Sequence, residues 1–410
     1  MLTDMKILVI NAGSSSIKFR LLNSIDLSPV LDGTLERIGT EHSQLNYVLF
    51  KQAHQKNIEQ FFAIKDYTEG FKLIIHTLSN KVFGNGVIDL AAIGHRVVHG
   101  GEQFKQPVLI SETVINTITK MIPLAPMHNP ANLKGIEICR ETFPLIPQVA
   151  IFDTAFHQTM PEKAYRYPLP ESFYAEHNIR RYGFHGSSHQ YIARCTAQVL
   201  NQPVSQLNLI TLHLGNGASA TAIQAGRSVD TSMGMTPLEG LMMGKRSGDI
   251  DPGIIFYLAR NMGLDFDEIE LMLNSQSGLL GVCGSNDMRE ILRLADQEDK
   301  QAQLAIEMYC YRIKKYIGAY FAILGRLDGL VFTAGVGENS PVIRLKVCQG
   351  LEHLGIYIDP EKNSLAKSSA QEIQAETGSV KIMLIPTDEE TEIARQTLIC
   401  IKTELKFRPQ

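Results

Sequence analysis

Three turns rich in glycine and small polar residues carry the first hint of chemistry: Gly13–Ser16, Gly215–Gly217 and Gly335–Asn339. Each follows an apolar run. Glycine lets a backbone approach an anion closely, and successive N–H groups form a nest for phosphate. Ser14, Ser15, Ser16, Lys18 and Asn216 add side-chain donors around these turns. Two familiar phosphate loops do not fit. A Walker loop needs GxxxxGK[ST], and the Gly244-Lys245 pair is followed by Arg246. The run GNGASA has G-x-G-x-x-A spacing, but strand-like alternation follows it where a Rossmann loop must open a helix. Any one of the three turns reads equally well as a tight hairpin. Together, with those donors, they point to nucleotide phosphate.

Charged residues gather elsewhere. Arg96 sits in GHRVVHGG (Gly94–Gly101), a strand-like run ended by two glycines. Asp153 ends the apolar run of IFDTAFH (Ile151–His157). A carboxylate there is costly to desolvate unless paired, so a structural salt bridge and a functional role are both open. The segment from Gly234 to Gly253 is a long loop with five glycines, Lys245, Arg246, Asp249 and Asp251. A loop of that length inside a compact domain is functional or disordered, and its mixed charges argue against a merely repelling tail. His95 and His99 are four apart, which on a strand is about 13 Å, too far for one metal. His185 and His189 repeat that spacing, with His185 expected in a loop and His189 in the first turn of a helix. A zinc site is therefore not expected. His42, His54, His76, His177 and His353 read as satisfied core or loop residues.

The elements that must position these residues alternate between strand and helix. Lys6–Asn11 and Ile17–Leu22 read as a hairpin about the first glycine turn, and Leu209–Leu214 with Ala218–Ile223 as a second, about half the chain later. The echo predicts two related halves. Ser187–Gln190 reads as a capping box before a helix over Tyr191–Leu200, and Thr387–Glu390 as another opening a helix to Leu405. Ser340 and Pro341 read as N-cap and first residue of a helix. Met127–Pro130, after Pro123 and Pro126, reads as a rigid turn. A long helix is expected over Gln301–Leu324 and short strands over Leu330–Thr333 and Lys381–Ile385. The class is α/β.

Composition narrows the field. The 410 residues are 44% apolar and 20% charged, with 39 basic and 43 acidic groups giving a net charge of −4. That balance offers no argument for nucleic acid or an anionic membrane as partner. Length alone predicts two or three domains of about 150 residues each. The six cysteines come no closer than 27 positions, which excludes CxxC motifs and is too sparse for a disulfide scaffold. No signal peptide is apparent, and the longest apolar stretch, ten residues over Tyr316–Gly325, falls short of the roughly 20 needed to span a membrane. A soluble cytoplasmic protein is the expectation.

NAGSSSIKF, GHRVVHGG, PLAPMHNP, FDTAFH, YGFHGSSH, HLGNGAS, DTSMGMTPLEGLMMGKRSGDIDP, FTAGVGENS and PTDEE, in this order over residues 6–400, closely resemble the acetate kinase family. The visible departure is Ala12, where many relatives carry Cys or another small residue. The resemblance implies two duplicated actin-like, ribonuclease H-like domains with a βββαβαβα core and an inter-domain nucleotide cleft. It implies reversible transfer between ATP and acetate, giving acetyl phosphate and ADP, with magnesium or manganese. A propionate kinase with the same residues is the near alternative.

Carried over motif by motif, Asn11 and Glu389 look like the metal-holding residues, largely through water, and Lys18 like an ATP-site lysine. His213, Leu214, Gly215, Asn216 and Gly217, with Gly335, Val336, Gly337, Glu338 and Asn339, look like phosphate and adenosine loops. Asp287, Met288 and Arg289 look like the nucleotide-base region. Arg96 resembles the acetate-binding arginine, with Val98, Met127, Phe184 and Pro237 around the methyl group, and Asp153, His185 and Arg246 resemble the catalytic group. A non-catalytic nucleotide binder would need no such cluster. Because Glu389 must reach Asn11, the first domain is expected to be discontinuous, 1–152 plus 388–410, with 153–387 as the second. The resemblance also implies a homodimer through the second domain, and the apolar helix over Tyr309–Leu324 could serve it or be intrachain core.

Overall fold

A computed structural model describes residues 5–13, 15–51, 54–84, 86, 88–126, 128–366 and 369–407. Ser14, Met127 and the side chain of His54 lie outside the described residues. The chain forms two compact units, one of Met1–Ala155 with Asp388–Gln410, the other of Phe156–Thr387.

The first unit carries strands β1 (Lys6–Ala12), β2 (Ser16–Asn23), β3 (Pro29–Glu36), β4 (Thr40–Lys51), β5 (His54–Ile64), β6 (Leu90–Val97), β7 (Val108–Leu109) and β8 (Gln148–Phe152). They form one sheet in the order β5-β4-β3-β2-β1-β6-β8-β7. Strands β1, β6 and β8 run parallel to one another, and β1 to β5 are an antiparallel meander. Strand β1 is central because both of its faces are apolar. Leu8, Ile10 and Ala12 join a core with Phe71, Ile74 and Leu78 of the helix Tyr67–Lys81. Ile7 and Val9 join another with Ile393, Ala394 and Leu398 of the helix Glu389–Phe407. A strand covered on both sides in this way reads as a continuous apolar run.

The second unit carries β9 (Asn208–Leu214), β10 (Ala218–Gln224), β11 (Arg227–Thr231), β12 (Gly329–Thr333), β13 (Gln371–Glu372) and β14 (Lys381–Leu384), ordered β11-β10-β9-β12-β14-β13. Its first five strands repeat the arrangement β3-β2-β1-β6-β8: an antiparallel meander of three, then two parallel strands added beside the first. The half-length echo in the sequence is thus a repeated topology. The long helix, Lys300–Leu324, turns Tyr309, Ile313, Ile317 and Tyr320 into the core of its own unit.

Several local expectations shift. The helix expected from Tyr191 begins at Gly186, with His185 as its N-cap in a left-handed conformation (φ 57°) and no side-chain cap. Ser188 bonds to His213 instead. The C-terminal helix begins at Glu389 and is capped by Asp388, whose carboxylate accepts the Thr391 N–H at 3.1 Å, so the cap is one residue later than Thr387. The turn expected through Pro130 gives way at Asn129 to a helix that runs to Thr142. Residues Ala334–Asn339, expected as a glycine loop, form a short helix, with Ala334 at φ 63° providing the bend after β12. Ser340 and Pro341 open their helix as expected, with the Ser340 hydroxyl accepting the Ile343 N–H.

Candidate active site

In the first unit, Arg96 is the hub. It lies in β6, beside β8, whose last residue precedes Asp153. Its Nε donates to Asp153 Oδ1 at 2.9 Å and its second terminal nitrogen to Oδ2 at 2.6 Å, a bidentate fork. The other terminal nitrogen donates to Asn11 Oδ1 at 3.3 Å. Glu389 Oε2 lies 3.9 Å from Arg96 Nε. Burial would lower the Arg96 pKa, but Asp153 and Glu389 more than reverse this and hold it above its ordinary value. Asp153 is 1% exposed and depends on this partner for its hydrogen bonds; Arg96 itself is 19% exposed.

Glu389 is pushed up to about 7. Burial is the main cause; Asp153 and Glu390 add to it, while Arg96 and Lys18 oppose it. Lys18 pairs with Asn11 across the β1–β2 hairpin, which brings it to this end of the sheet. Asp388, bonded to Arg20 at 2.5 Å, pins the helix start that presents Glu389. Asp153 is engaged in the Arg96 fork, and Glu390 lies 4.0 Å from Arg20. Glu389, 3.9 Å from Arg96, and Asn11 offer a carboxylate and an amide oxygen, donors that fit a hard divalent cation. Among the described residues no three metal-ligating side chains gather, so the donor set suits an ion that keeps most of its waters, as magnesium does.

Asn132 was not legible as a site residue. Its amide nitrogen donates to the Ala12 carbonyl at 2.7 Å and its oxygen accepts the Val98 N–H at 3.0 Å. It fixes the end of β1 against the segment that carries Val98, which is buried.

In the second unit, the β9–β10 hairpin and the helix Gly186–Val199 assemble a histidine cluster. His213 and Ser219 are cross-strand partners. His185 stacks on His213, ring centroids 4.2 Å apart, and its Nδ1 lies 2.9 Å from Ser219 Oγ. His189, one turn along the helix, touches Ser219 through Nε2 and Thr211 through Nδ1, each at 2.7 Å. His157 is bonded to Ser228 and to the carbonyl of Phe184, whose ring is buried. Burial holds His189 well below the ordinary histidine range, with His157 and His213 adding to it.

The hairpin turn and the long loop meet beside this cluster. A Cβ placed on Gly217 would stand 3.5 Å from the His185 ring and 3.6 Å from an Arg246 terminal nitrogen. Arg246 donates to the Pro237 carbonyl at 3.3 Å, and among the described residues no carboxylate pairs with it. Burial lowers its pKa. Gly244 N–H donates to the Asn216 carbonyl, and Asn286 to the Asn216 side chain. Gly215 faces Ala334 and His213, each 3.8 Å from its would-be Cβ. Leu214 is buried at the end of β9.

The loop's acids are structural. Asp249 accepts from the Gly240 N–H and the Tyr316 hydroxyl, each at 2.7 Å. Gly335, Val336 and Gly337 lie in the short helix. Glu338 accepts the N–H groups of Ala334 and Thr387, and Asn339 donates to the Gly335 carbonyl. Asp287 caps the helix Met288–Asp296 and forks with Arg289, which is 91% exposed.

A family model of the acetokinase family matches residues 6–395, and the chain belongs to that family. An acetate kinase from Sulfurovum sp. (strain NBC37-1) is 53% identical over 398 residues, 97% of this chain and 99% of the relative. The crystal structure of Porphyromonas gingivalis acetate kinase superposes with a TM-score of 0.90 at 42% identity, covering 97% of this chain and 100% of that one. A propionate kinase from Francisella tularensis subsp. tularensis SCHU S4 superposes with a TM-score of 0.89 at 44% identity, covering 96% and 99%.

Proposed function

We propose that this chain is an acetate kinase, transferring the γ-phosphoryl group of ATP reversibly and in line to acetate. The observation that carries the reading is Arg96, a partly exposed guanidinium oriented by a buried carboxylate. Acetate is already ionised at neutral pH, since such acids titrate near about 4. No general base is needed. The difficulty is bringing one anion to another, so the chain must supply positive charge and alignment.

In this reading Arg96 takes the acetate carboxylate, with Val98, Phe184, Pro237 and Met127 around the methyl group. Arg246 and His185 meet the phosphoryl oxygens. The glycine turns and Lys18 hold the nucleotide phosphates, and the Asp287–Arg289 region holds the base. An acetate oxygen bonds to the γ-phosphorus as the bond to the bridging oxygen breaks, and its electron pair leaves on ADP. Asn11 and Glu389 would hold magnesium, or manganese, which neutralises phosphate charge when bound. Asp153 orients Arg96 and removes no proton.

Propionate kinase is the second reading, because a propionate kinase matches the fold almost equally well. One methylene changes pocket discrimination by about 1–3 kcal/mol, so some propionate turnover is expected. Trapping the acyl phosphate with hydroxylamine, using acetate, propionate and butyrate in turn, decides between them. Acetate should give the highest kcat/KM and butyrate the lowest. A clear preference for propionate would replace the name, and no product from any acid would remove the activity.

The reading includes a homodimer formed through the second unit. Helix Gly253–Met262 has no buried residue, and Ile254, Phe256, Tyr257 and Met262 are exposed along it. Such a surface is covered in a stable oligomer. Sedimentation should give a dimer that Phe256→Glu weakens. The reading also places the protein in the cytoplasm, in keeping with six free cysteines. Among the described residues no helix is long and apolar enough to cross a membrane.

A further inference from the structure

Three segments of the second unit are drawn together around one carboxylate. Glu239 Oε1 accepts from a terminal nitrogen of Arg181 at 2.5 Å, and Glu239 Oε2 accepts from the Tyr167 hydroxyl. That hydroxyl in turn accepts the Met235 N–H at 3.0 Å. The other terminal nitrogen of Arg181 reaches three successive carbonyls, those of Thr231, Ser232 and Met233, at 2.9, 3.1 and 3.1 Å. The Arg181 N–H donates to the Tyr165 carbonyl at 2.7 Å, and the N–H groups of Tyr182 and Gly183 both donate to the Gly234 carbonyl. A methyl group on Gly234 would collide with Glu239 Oε2 and the Tyr167 hydroxyl, so the carboxylate rests directly on the backbone that it organises.

Two of the three segments carry a wall of the acyl pocket proposed above. Arg181 stands three positions before Phe184, and Glu239 two positions after Pro237. Phe184 is buried and Pro237 half-buried. The Pro237 carbonyl also accepts from Arg246. Between Thr231 and Gly253 the chain forms neither strand nor helix, so Pro237 keeps its place through contacts of this kind. A pocket discriminates by size only as far as its walls resist displacement, and a loop wall resists only as far as it is tied down. The tie here is a charge-assisted pair, about twice as strong as a neutral hydrogen bond.

We propose that Arg181 and Glu239, with Tyr167, are positioning residues that fix the separation of Phe184 and Pro237 and so set the size of acid the pocket accepts. This rests on the kinase reading above, in which those two side chains surround the acyl group. None of the three touches substrate in this account; they act through the two walls. Loosening the clasp favours the longer acid, because a wall that yields makes room for one more methylene.

The test measures kcat/KM for acetate and for propionate in three variants beside the parent. Glu239→Ala should raise the propionate-to-acetate ratio by roughly five- to twentyfold. Tyr167→Phe, which removes one oxygen, should move the ratio the same way by a smaller factor. Glu239→Gln, which keeps an oxygen for Arg181, should restore most of the parent ratio. The KM for ATP should stay within about twofold of the parent value throughout. An unchanged or lower ratio in Glu239→Ala and Tyr167→Phe, whatever the loss of turnover, shows a clasp that only supports the fold and overturns the proposal. Should Glu239→Ala give no cooperative thermal melt, the ratio in Tyr167→Phe decides alone. Hydroxamate formation by the parent protein reports separately on the kinase reading itself.

Discussion

Arg96 and Asp153 meet through two parallel hydrogen bonds, at 2.9 and 2.6 Å, and the carboxylate in that pair is almost wholly out of water. The arginine cannot turn without leaving a buried charge unpaired. Its direction, and with it the place of any anion it binds, is set by Asp153.

If orientation is what Asp153 contributes, its amide should retain part of the function. Asp153→Asn keeps an oxygen for the Arg96 fork, whereas Asp153→Ala removes it. We expect the alanine variant to lose roughly 10²-fold or more in kcat/KM for acetate, and the asparagine variant distinctly less. Steady-state kinetics with acetate varied will show it; equal and total loss in both would implicate the charge itself.

Arg246 is held by the Pro237 carbonyl. Replacing it with leucine should leave folding and the KM for ATP nearly unchanged while lowering kcat by roughly 10³-fold, the scale seen for arginines that meet a transferring phosphoryl group. Normal turnover in Arg246→Leu would remove it from the reaction.

Two glycines should respond differently to alanine. At Gly217 the new methyl would make only ordinary contacts, 3.5 Å from His185 and 3.6 Å from Arg246, yet would occupy the space they share. Gly217→Ala should melt like the parent and lose roughly ten- to hundredfold in kcat. At Gly244 the methyl would fall 2.0 Å from Asn216 Oδ1, the atom that Asn286 holds. Gly244→Ala should displace the Asn216 amide and raise the KM for ATP. Thermal melts beside the kinetics distinguish the two.

Buried histidines set an acid limit on stability. Burial lowers His95 to about 4, despite its bond to Gln148. The unfolded chain titrates near about 6.5. The folded protein therefore binds fewer protons across this window. Its contribution is complete above pH 6.5 and is lost as pH falls toward 4, by about 1.4 kcal/mol per pH unit. His189 shifts in the same direction. Melting temperature should decline over that range, and His95→Gln should flatten the decline. An unchanged slope in that variant would exclude His95.

Much of this arrangement was legible in the residues. The two hairpins, the strand carrying Arg96 and the position of Asp153 at a strand end all follow from apolar runs and the small residues that stop them. What escaped was geometry that no spacing encodes. The serine-rich run after His185 looked like a cap, but Ser188 bonds to His213 and the helix starts earlier. Ala334–Asn339 has two glycines and reads as a loop; a single positive φ at Ala334 lets it coil into a helix. Asn132, Thr211 and Ser219 are ordinary polar residues whose importance comes from partners distant in sequence.

The helix Glu389–Phe407 covers Ile7, Val9, Ala92 and Ile151 on one face of the first sheet. During synthesis those strands emerge before their cover, which follows the whole of Phe156–Thr387. While that second unit is being made, the ribosome therefore carries a half-covered sheet, with an apolar flank open to chaperones or to neighbouring nascent chains. Only when the helix Glu389–Phe407 arrives does the first unit close, and the same event delivers Glu389 to Arg96.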